Sequence, residues 1–375
     1  MAERLPNPNT EIRIMTLHAT RGANYWSELP ITRMDLNIGA YENISSADVP
    51  GFTESLVQTM PGLRDHRCSI GEPGGFIIRL KHGTYFAHIV EHVALELQGM
   101  IGHDVGYGRT RGGDAVGEYT IIFEHLHDAV GLRSAALALE IVQTAFMGSL
   151  TSIDHAVAEL AALAQTPAAS PLLQHVLCGI SGGHYRQETR DELVRLGFSE
   201  ADLIVDVSPS YLLQAGLPYS HSRIAIITDA KLSDVPERFR QPRRAQRLVS
   251  VVADAVPSDG TVIVPAKEWE IQDRVRDTGR RVAIFATDAD VTPKDKKVAR
   301  TCATVDGRRI MIEHFDSIVE AGWLHDKSQV TAQVAAALAA FTLRELHEPT
   351  FTSRNGTDPA LNAESRPDER AGVAD

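Results

Sequence analysis

His88, Glu91 and His92, in the order H-I-V-E-H, are the residues of this chain whose types and spacing could do chemistry. On a helix the two histidines lie one turn apart and project their imidazoles from one face, the spacing two ligands need to share a divalent ion. Glu91 is three positions from His88 and adjacent to His92, so its carboxylate flanks the same place. The order H-x-x-E-H inverts the H-E-x-x-H order of zinc proteases, in which the histidines bind zinc and the glutamate takes a proton from a metal-bound water. Read that way, His88 and His92 are metal ligands, Glu91 is the general base, and the cofactor is Zn2+ or another divalent ion.

Such chemistry needs three protein ligands and an open position for water. Glu96 lies four residues beyond His92, but about 12 Å of helix axis separates it from His88 at roughly 1.5 Å per residue. It is better placed to accept a hydrogen bond from the outer nitrogen of His92, or to be a buried carboxylate paired to an arginine. The third ligand is then expected from another element. Glu124, closing the apolar run YTIIFE, is the leading choice, with His125, His127 and Glu118 as alternatives. Cys68, Cys178 and Cys302 form no C-x-x-C pair, which argues against cysteine as a ligand. Arg109 and Arg111 either hold a substrate carboxylate or oxyanion or are surface arginines. Asn24, Tyr25 and Trp26 read as pocket wall or as core.

The element that must carry the motif is a helix over residues 83–100. Tyr85, Phe86, Ile89, Val90, Val93, Leu95 and Leu97 make it apolar round much of its circumference, which predicts burial. Four polar groups on a buried helix need partners, and a shared cation would supply one.

The 375 residues suggest about two domains. Composition is that of an ordinary globular protein, with 43% hydrophobic and 23% charged residues. No run of eighteen apolar residues is present, and MAERLPNPNTE lacks a signal-peptide pattern, so no membrane partner is expected. Three dispersed cysteines fit a reducing cytoplasm rather than a disulfide framework. A net charge of −12 argues against nucleic acid and suits a cationic or zwitterionic substrate.

Residues 1–164 are expected to form an α+β domain, with strands over 11–17, 31–38 and 119–124. Helices are expected over 51–60, 83–100, 132–146 and 153–163, and the Gly/Arg-rich stretch 102–117 reads as a functional loop. A linker is expected at 165–171 (QTPAASP), then an α/β domain over 172–346. Its alternating strands (201–207, 223–229, 261–265, 281–286) and helices imply a mostly parallel sheet. Residues 347–375 read as a disordered tail.

The N-terminal residues resemble the N-terminal domain of the cyanophycin synthetase family. The matching stretches are RGANYWS (21–27), VPGFTESL (49–56), PGLRDHRCSIGEPGGFIIRLKHGTYFAHIVEHVALELQ (61–98), VGYGRTR (105–111) and YTIIFEH (119–125). SHSRIAIITD (220–229), LVSVVADAVPSDGTVIVPAKE (248–268), RRVAIFATDAD (280–290) and TAQVAAALAAFTL (331–343) resemble that family's Mur-ligase-like domain. The ATP-grasp domain between these regions has no counterpart here. LCGISGGHYRQET (177–189) stands where the P-loop would be, without its lysine. The resemblance implies that no ATP is used and that the metallopeptidase-like (inverzincin) unit is what remains. The chain is thus expected to be a cytoplasmic, zinc-dependent cyanophycin hydrolase, a cyanophycinase. Its partner would be the polymer multi-arginyl-poly-aspartate or its oligomers, cut in the poly-aspartate backbone. A degenerate Mur-like domain would serve as scaffold for a homo-oligomer. The alternatives are a non-catalytic cyanophycin-binding or regulatory protein, and a metallopeptidase of another substrate.

Overall fold

The computed structural model describes residues 5–167, 173–198, 203–287 and 299–347. Residues 168–171 of the expected linker and the expected tail from 348 lie outside them.

Period-two burial builds the first sheet. In β2 (Ile31–Asn37) Met34 and Leu36 point inward while Arg33 and Asp35 point outward, as a strand with one covered face requires. With β1 (Arg13–Ala19), β3 (Gly108–Gly112) and β4 (Glu118–Glu124) it forms an antiparallel sheet in the order β1-β2-β4-β3. Short helices α1 (Pro8–Glu11), α2 (Phe52–Thr59) and α3 (Gly75–His82) precede the motif helix α4 (Phe86–Met100). α4 and α5 (Asp128–Phe146) pack together against the inner face, and α6 (Asp154–Leu163) packs on both. Tyr41, Phe52, Phe86 and Phe146 interlock beneath them with ring centroids 4.5–5.6 Å apart.

Among the described residues, α5 is the one helix long and apolar enough to cross a membrane by length and composition, yet 61% of that window is buried in the protein. Here it is a core helix. The stretch expected as a functional loop contains β3, which carries Arg109 and Arg111 on a strand paired to β4. Its glycines and arginines hid a strand with little burial to signal it.

The remaining chain builds an eight-stranded sheet. It contains β5 (Leu173–Ser181), α7 (Arg186–Arg195), β6 (Ile204–Val207), α8 (Pro209–Ala215), β7 (Tyr219–Ile227), α9 (Pro242–Val249) and α10 (Val251–Asp254). β8 (Thr261–Pro265), α11 (Trp269–Asp277), β9 (Arg281–Phe285), β10 (Thr301–Asp306), β11 (Arg309–His314), β12 (Ser317–Trp323) and α12 (Val330–His347) follow. The order is β12-β11-β10-β9-β8-β7-β5-β6, parallel from β6 to β10 and antiparallel from β10 to β12. The architecture is therefore an α+β unit followed by an α/β unit with a mostly parallel sheet. The hairpins of β10 to β12 were not expected from sequence, because β12 (SIVEAGW) is exposed along most of its length and shows no buried alternation.

The segment between β1 and β2 joins the two units. Arg21 N donates to Ala215 O (2.8 Å) and Leu217 N to Ala23 O (2.8 Å), while Tyr25 and Trp26 pack against the core under the second sheet. Gly216 makes this junction possible: its φ is +67°, and a Cβ there would lie 2.8 Å from Gly22 O and 3.0 Å from Ala23 O. Gly216→Ala should lower stability by about 1–3 kcal/mol, through left-handed strain and a backbone clash. A denaturation midpoint unchanged from wild type would contradict this account of the junction.

Candidate metal centre

α4 begins after Tyr85, whose extended backbone precedes it, and it buries Glu91 and His92 almost completely (6% and 5% exposed). The two histidine rings meet edge to face with centroids 4.9 Å apart. The loop between α2 and α3 closes over them. There Cys68 takes a left-handed backbone (φ +52°), uncommon for a residue with a Cβ, and brings its Sγ to 3.3 Å from His88 Nε2. One donor atom each from Cys68, His88 and His92 lies within 4.8 Å of the other two.

Each imidazole is held from behind. His88 Nδ1 pairs with Thr84 Oγ1 (2.8 Å), which leaves Nε2 facing the cysteine. His92 Nδ1 meets His66 Nδ1 (2.9 Å), and His66 Nε2 meets Glu96 Oε2 (3.1 Å). Phe76 stacks on the His92 ring at 3.9 Å and 20°. This is the outer support that fixes the orientation of a metal-binding imidazole. Thiolate plus two neutral imidazoles suits Zn2+ in donor type, with a fourth position left for another ligand. Burial favours the neutral ring: desolvation lowers the pKa of His88 to about 4 and holds that of His92 well below the usual imidazole value.

Glu91 stands beside the cluster, held by the Thr110 hydroxyl (2.5 Å). Desolvation raises its pKa to about 7, against the hydrogen bond from Thr110 and the nearby His66. Only a glycine fits opposite it, because a Cβ on Gly108 would lie 2.9 Å from Glu91 Cγ and Oε1.

The structure brings together His88, Glu91 and His92 as expected, but not Glu124. Its Oε1 accepts from Ser27 Oγ (2.6 Å) and its Oε2 from the Tyr107 amide (3.3 Å), so it ties the β1–β2 connection to the residues before β3. The other expected sources of a third ligand also lie elsewhere. His125 Nδ1 pairs with Thr32 Oγ1, His127 Nε2 with Thr166 O, and Glu118 with the Ala115 amide. Cys68 occupies the position assigned to Glu124, contrary to the argument from missing C-x-x-C spacing. Glu96 supports His92 through His66 and not directly. Arg109 lines the cleft over the cluster, whereas Arg111 lines the neighbouring cleft between the two units.

That cleft over the cluster encloses about 790 Å³. Arg67, Arg79 and Arg109 stand on its walls beside Asp65, Tyr85 and Tyr107, with His88, Glu91 and His92 beneath. The wall is thus mixed in charge, and aromatic in part.

In the second unit, the ligand position of an α/β sheet is the C-terminal edge where strand order reverses, here between β5 and β7. The loop Gly182–His184 folds onto the end of β7, and His184 N donates to Asp229 Oδ2 (2.9 Å). A Cβ on Gly183 would lie 1.8 Å from Lys231 O. A carboxylate of the protein thus accepts from this loop amide.

Buried imidazoles also predict an acid limit for the metal-free protein. Desolvation lowers the pKa of His125 (2% exposed) to about 4, and His88 and His92 shift the same way. These groups stabilise the fold above the unfolded-state value near 6.5, and that stability is lost as the unfolded chain takes up protons below it. Glu91, raised instead, works in the opposite sense. Each such group contributes up to about 1.4 kcal/mol per pH unit, and the histidines shifted down outnumber the carboxylates shifted up, Glu91, Asp254 and Glu268. Unfolding free energy should fall between pH 6.5 and 4, and constancy across that range would contradict the burial.

The antiparallel unit is of a recognised kind. The family model described as "Cyanophycin synthase-like N-terminal domain" matches residues 33–147, and the chain carries that domain. Among curated proteins, cyanophycin synthetase of Trichormus variabilis is 42% identical over 137 residues, 36% of this chain and 15% of that protein. Cyanophycin synthetase of Synechocystis is 39% identical over 137 residues, 36% of this chain and 16% of that protein. Cyanophycin synthetase of Geminocystis herdmanii is 35% identical over 163 residues, 43% and 19% respectively. The chain thus spans less than a fifth of the length of these relatives. Among solved structures, a murein peptide ligase of Psychrobacter arcticus covers 45% of this chain and 44% of its own at 13% identity and a TM-score of 0.32.

These matches overturn the expectation of a cyanophycin hydrolase or metallopeptidase. The domain that contains the H-x-x-E-H helix is shared with proteins named for synthesis, so the motif in this setting does not mark a degradative enzyme.

Proposed function

We propose that this protein binds cyanophycin, or a closely similar arginyl-aspartate polymer, in the cleft over Cys68, His88 and His92, and that it serves the polymer's synthesis in the cytoplasm. The observation that carries this reading is the chemistry of the cleft wall. A poly-aspartate chain with amide-linked arginines offers carboxylates and guanidinium groups side by side. Arg67, Arg79 and Arg109 suit the carboxylates, while Asp65, Tyr85 and Tyr107 suit the guanidinium groups. The cluster beneath would hold a divalent ion, Zn2+ by donor type, which when bound supplies a Lewis-acidic anchor for a carboxylate. Glu91 and Thr110 border that anchor and orient what reaches it.

The cleft makes a direct prediction. Arg67→Ala with Arg79→Ala should weaken binding of a soluble arginyl-aspartyl oligomer at least tenfold, read by fluorescence anisotropy at constant ionic strength. Equal affinity in the double variant would remove the cleft from the account.

A further inference from the structure

We infer a second ligand site, for a small multivalent oxyanion, in the cleft between the two units. It encloses about 360 Å³, within the range of small-molecule pockets, and lies at a junction of units, where such pockets favour. Arg109 and Arg111 reach it from β3, and Arg238, Arg244 and Arg247 from the 3-10 turn before α9 and from α9 itself.

Five guanidinium groups converge there in a chain whose net charge is −12. The protein neutralises few of them. Arg247 pairs with Asp254 (2.9 Å), and Arg238 only approaches Asp114 (3.9 Å), whose side chain is 85% exposed. Arg244 donates to a backbone carbonyl, Arg238 O (3.0 Å). Arg109 and Arg111 have no ion pair or side-chain hydrogen bond among the described residues.

Tyr25, Trp26 and Phe239 pack edge to face with centroids 5.1–6.5 Å apart and give the cleft a rigid aromatic wall. Guanidinium groups on two facing walls fit a ligand with anionic groups on two sides, each taken by a planar fork of N–H donors. Phosphate and carboxylate share that chemistry. A bound ligand would bridge β3 to α9 and so clamp the units together.

The test uses the full chain with inorganic triphosphate in one arm and a tri-aspartate peptide in the other, by titration calorimetry at fixed ionic strength. At least one anion should bind saturably, one per chain, and raise the melting temperature. The arm that binds identifies the phosphate or carboxylate source. Arg111→Ala, at an exposed position whose side chain has no partner among the described residues, and Arg244→Ala should each weaken that binding at least tenfold. Arg276→Ala, in a separate cleft, should leave it unchanged. Neither residue tested lines the cleft over the metal cluster, so failure here is separable from failure of the polymer-binding reading. Absence of saturable binding in both arms, or affinity unaltered by Arg111→Ala and Arg244→Ala, would overturn the site.

Discussion

His92→Ala should reduce divalent-ion affinity on the order of 10²-fold or more, since it removes one of the three donors that the described residues bring together at the proposed site. Cys68→Ser should act in the same direction and carries a spectroscopic signature. With Co2+ as probe, wild type should show a thiolate-to-metal charge-transfer band, and Cys68→Ser should lack it while retaining weaker binding through His88 and His92. The cluster geometry sets this expectation, because the three donor atoms lie within 4.8 Å of one another. Glu124→Gln should leave the ion bound, since that carboxylate is engaged by Ser27 and Tyr107. Loss of metal in Glu124→Gln with retention in Cys68→Ser would reverse the assignment.

Phe76→Ala should lower stability by about 3–5 kcal/mol, the usual cost of truncating a fully buried aromatic side chain. Phe76 is 0% exposed and stacks on His92 at 3.9 Å. Its removal therefore opens a cavity and also frees the ring that must present its nitrogen to an ion. Metal affinity should fall with stability, by about 10–100-fold, as for other losses of support behind a ligand. Phe76→Leu, which refills much of the volume without a ring face, separates the two effects: stability should largely return while affinity stays reduced. Full affinity in Phe76→Leu would show that the stacking does not orient His92.

Much of this was legible in the sequence, for physical reasons. The motif helix was visible because its apolar residues and the His88/His92 spacing share one helical period. The parallel sheet was visible because RIAIITD, TVIVP and RVAIF are short β-branched runs set between helical stretches. Cys68 was not visible as a member of the cluster, because it reaches His88 only through a left-handed turn in a loop twenty residues upstream. Periodicity carries no information about such a turn. The nearby His66 and the glycines of CSIGEPGG were the available signal. Glu124 misled for a related reason: a carboxylate ending an apolar strand does need partners, but a serine hydroxyl and a backbone amide supply them. The functional misreading had another source. A P-loop position without its lysine suggests that the metal motif alone does chemistry, whereas the domain that carries the motif matches synthetases.

The most direct test incubates the purified protein, loaded with Zn2+, with insoluble cyanophycin and measures both the protein in the pellet and the mass distribution of the polymer. The account predicts saturable co-sedimentation, weakened by Arg67→Ala with Arg79→Ala, and polymer of unchanged length. Protein that stays in the supernatant, or polymer shortened in a chelator-sensitive manner, would contradict it.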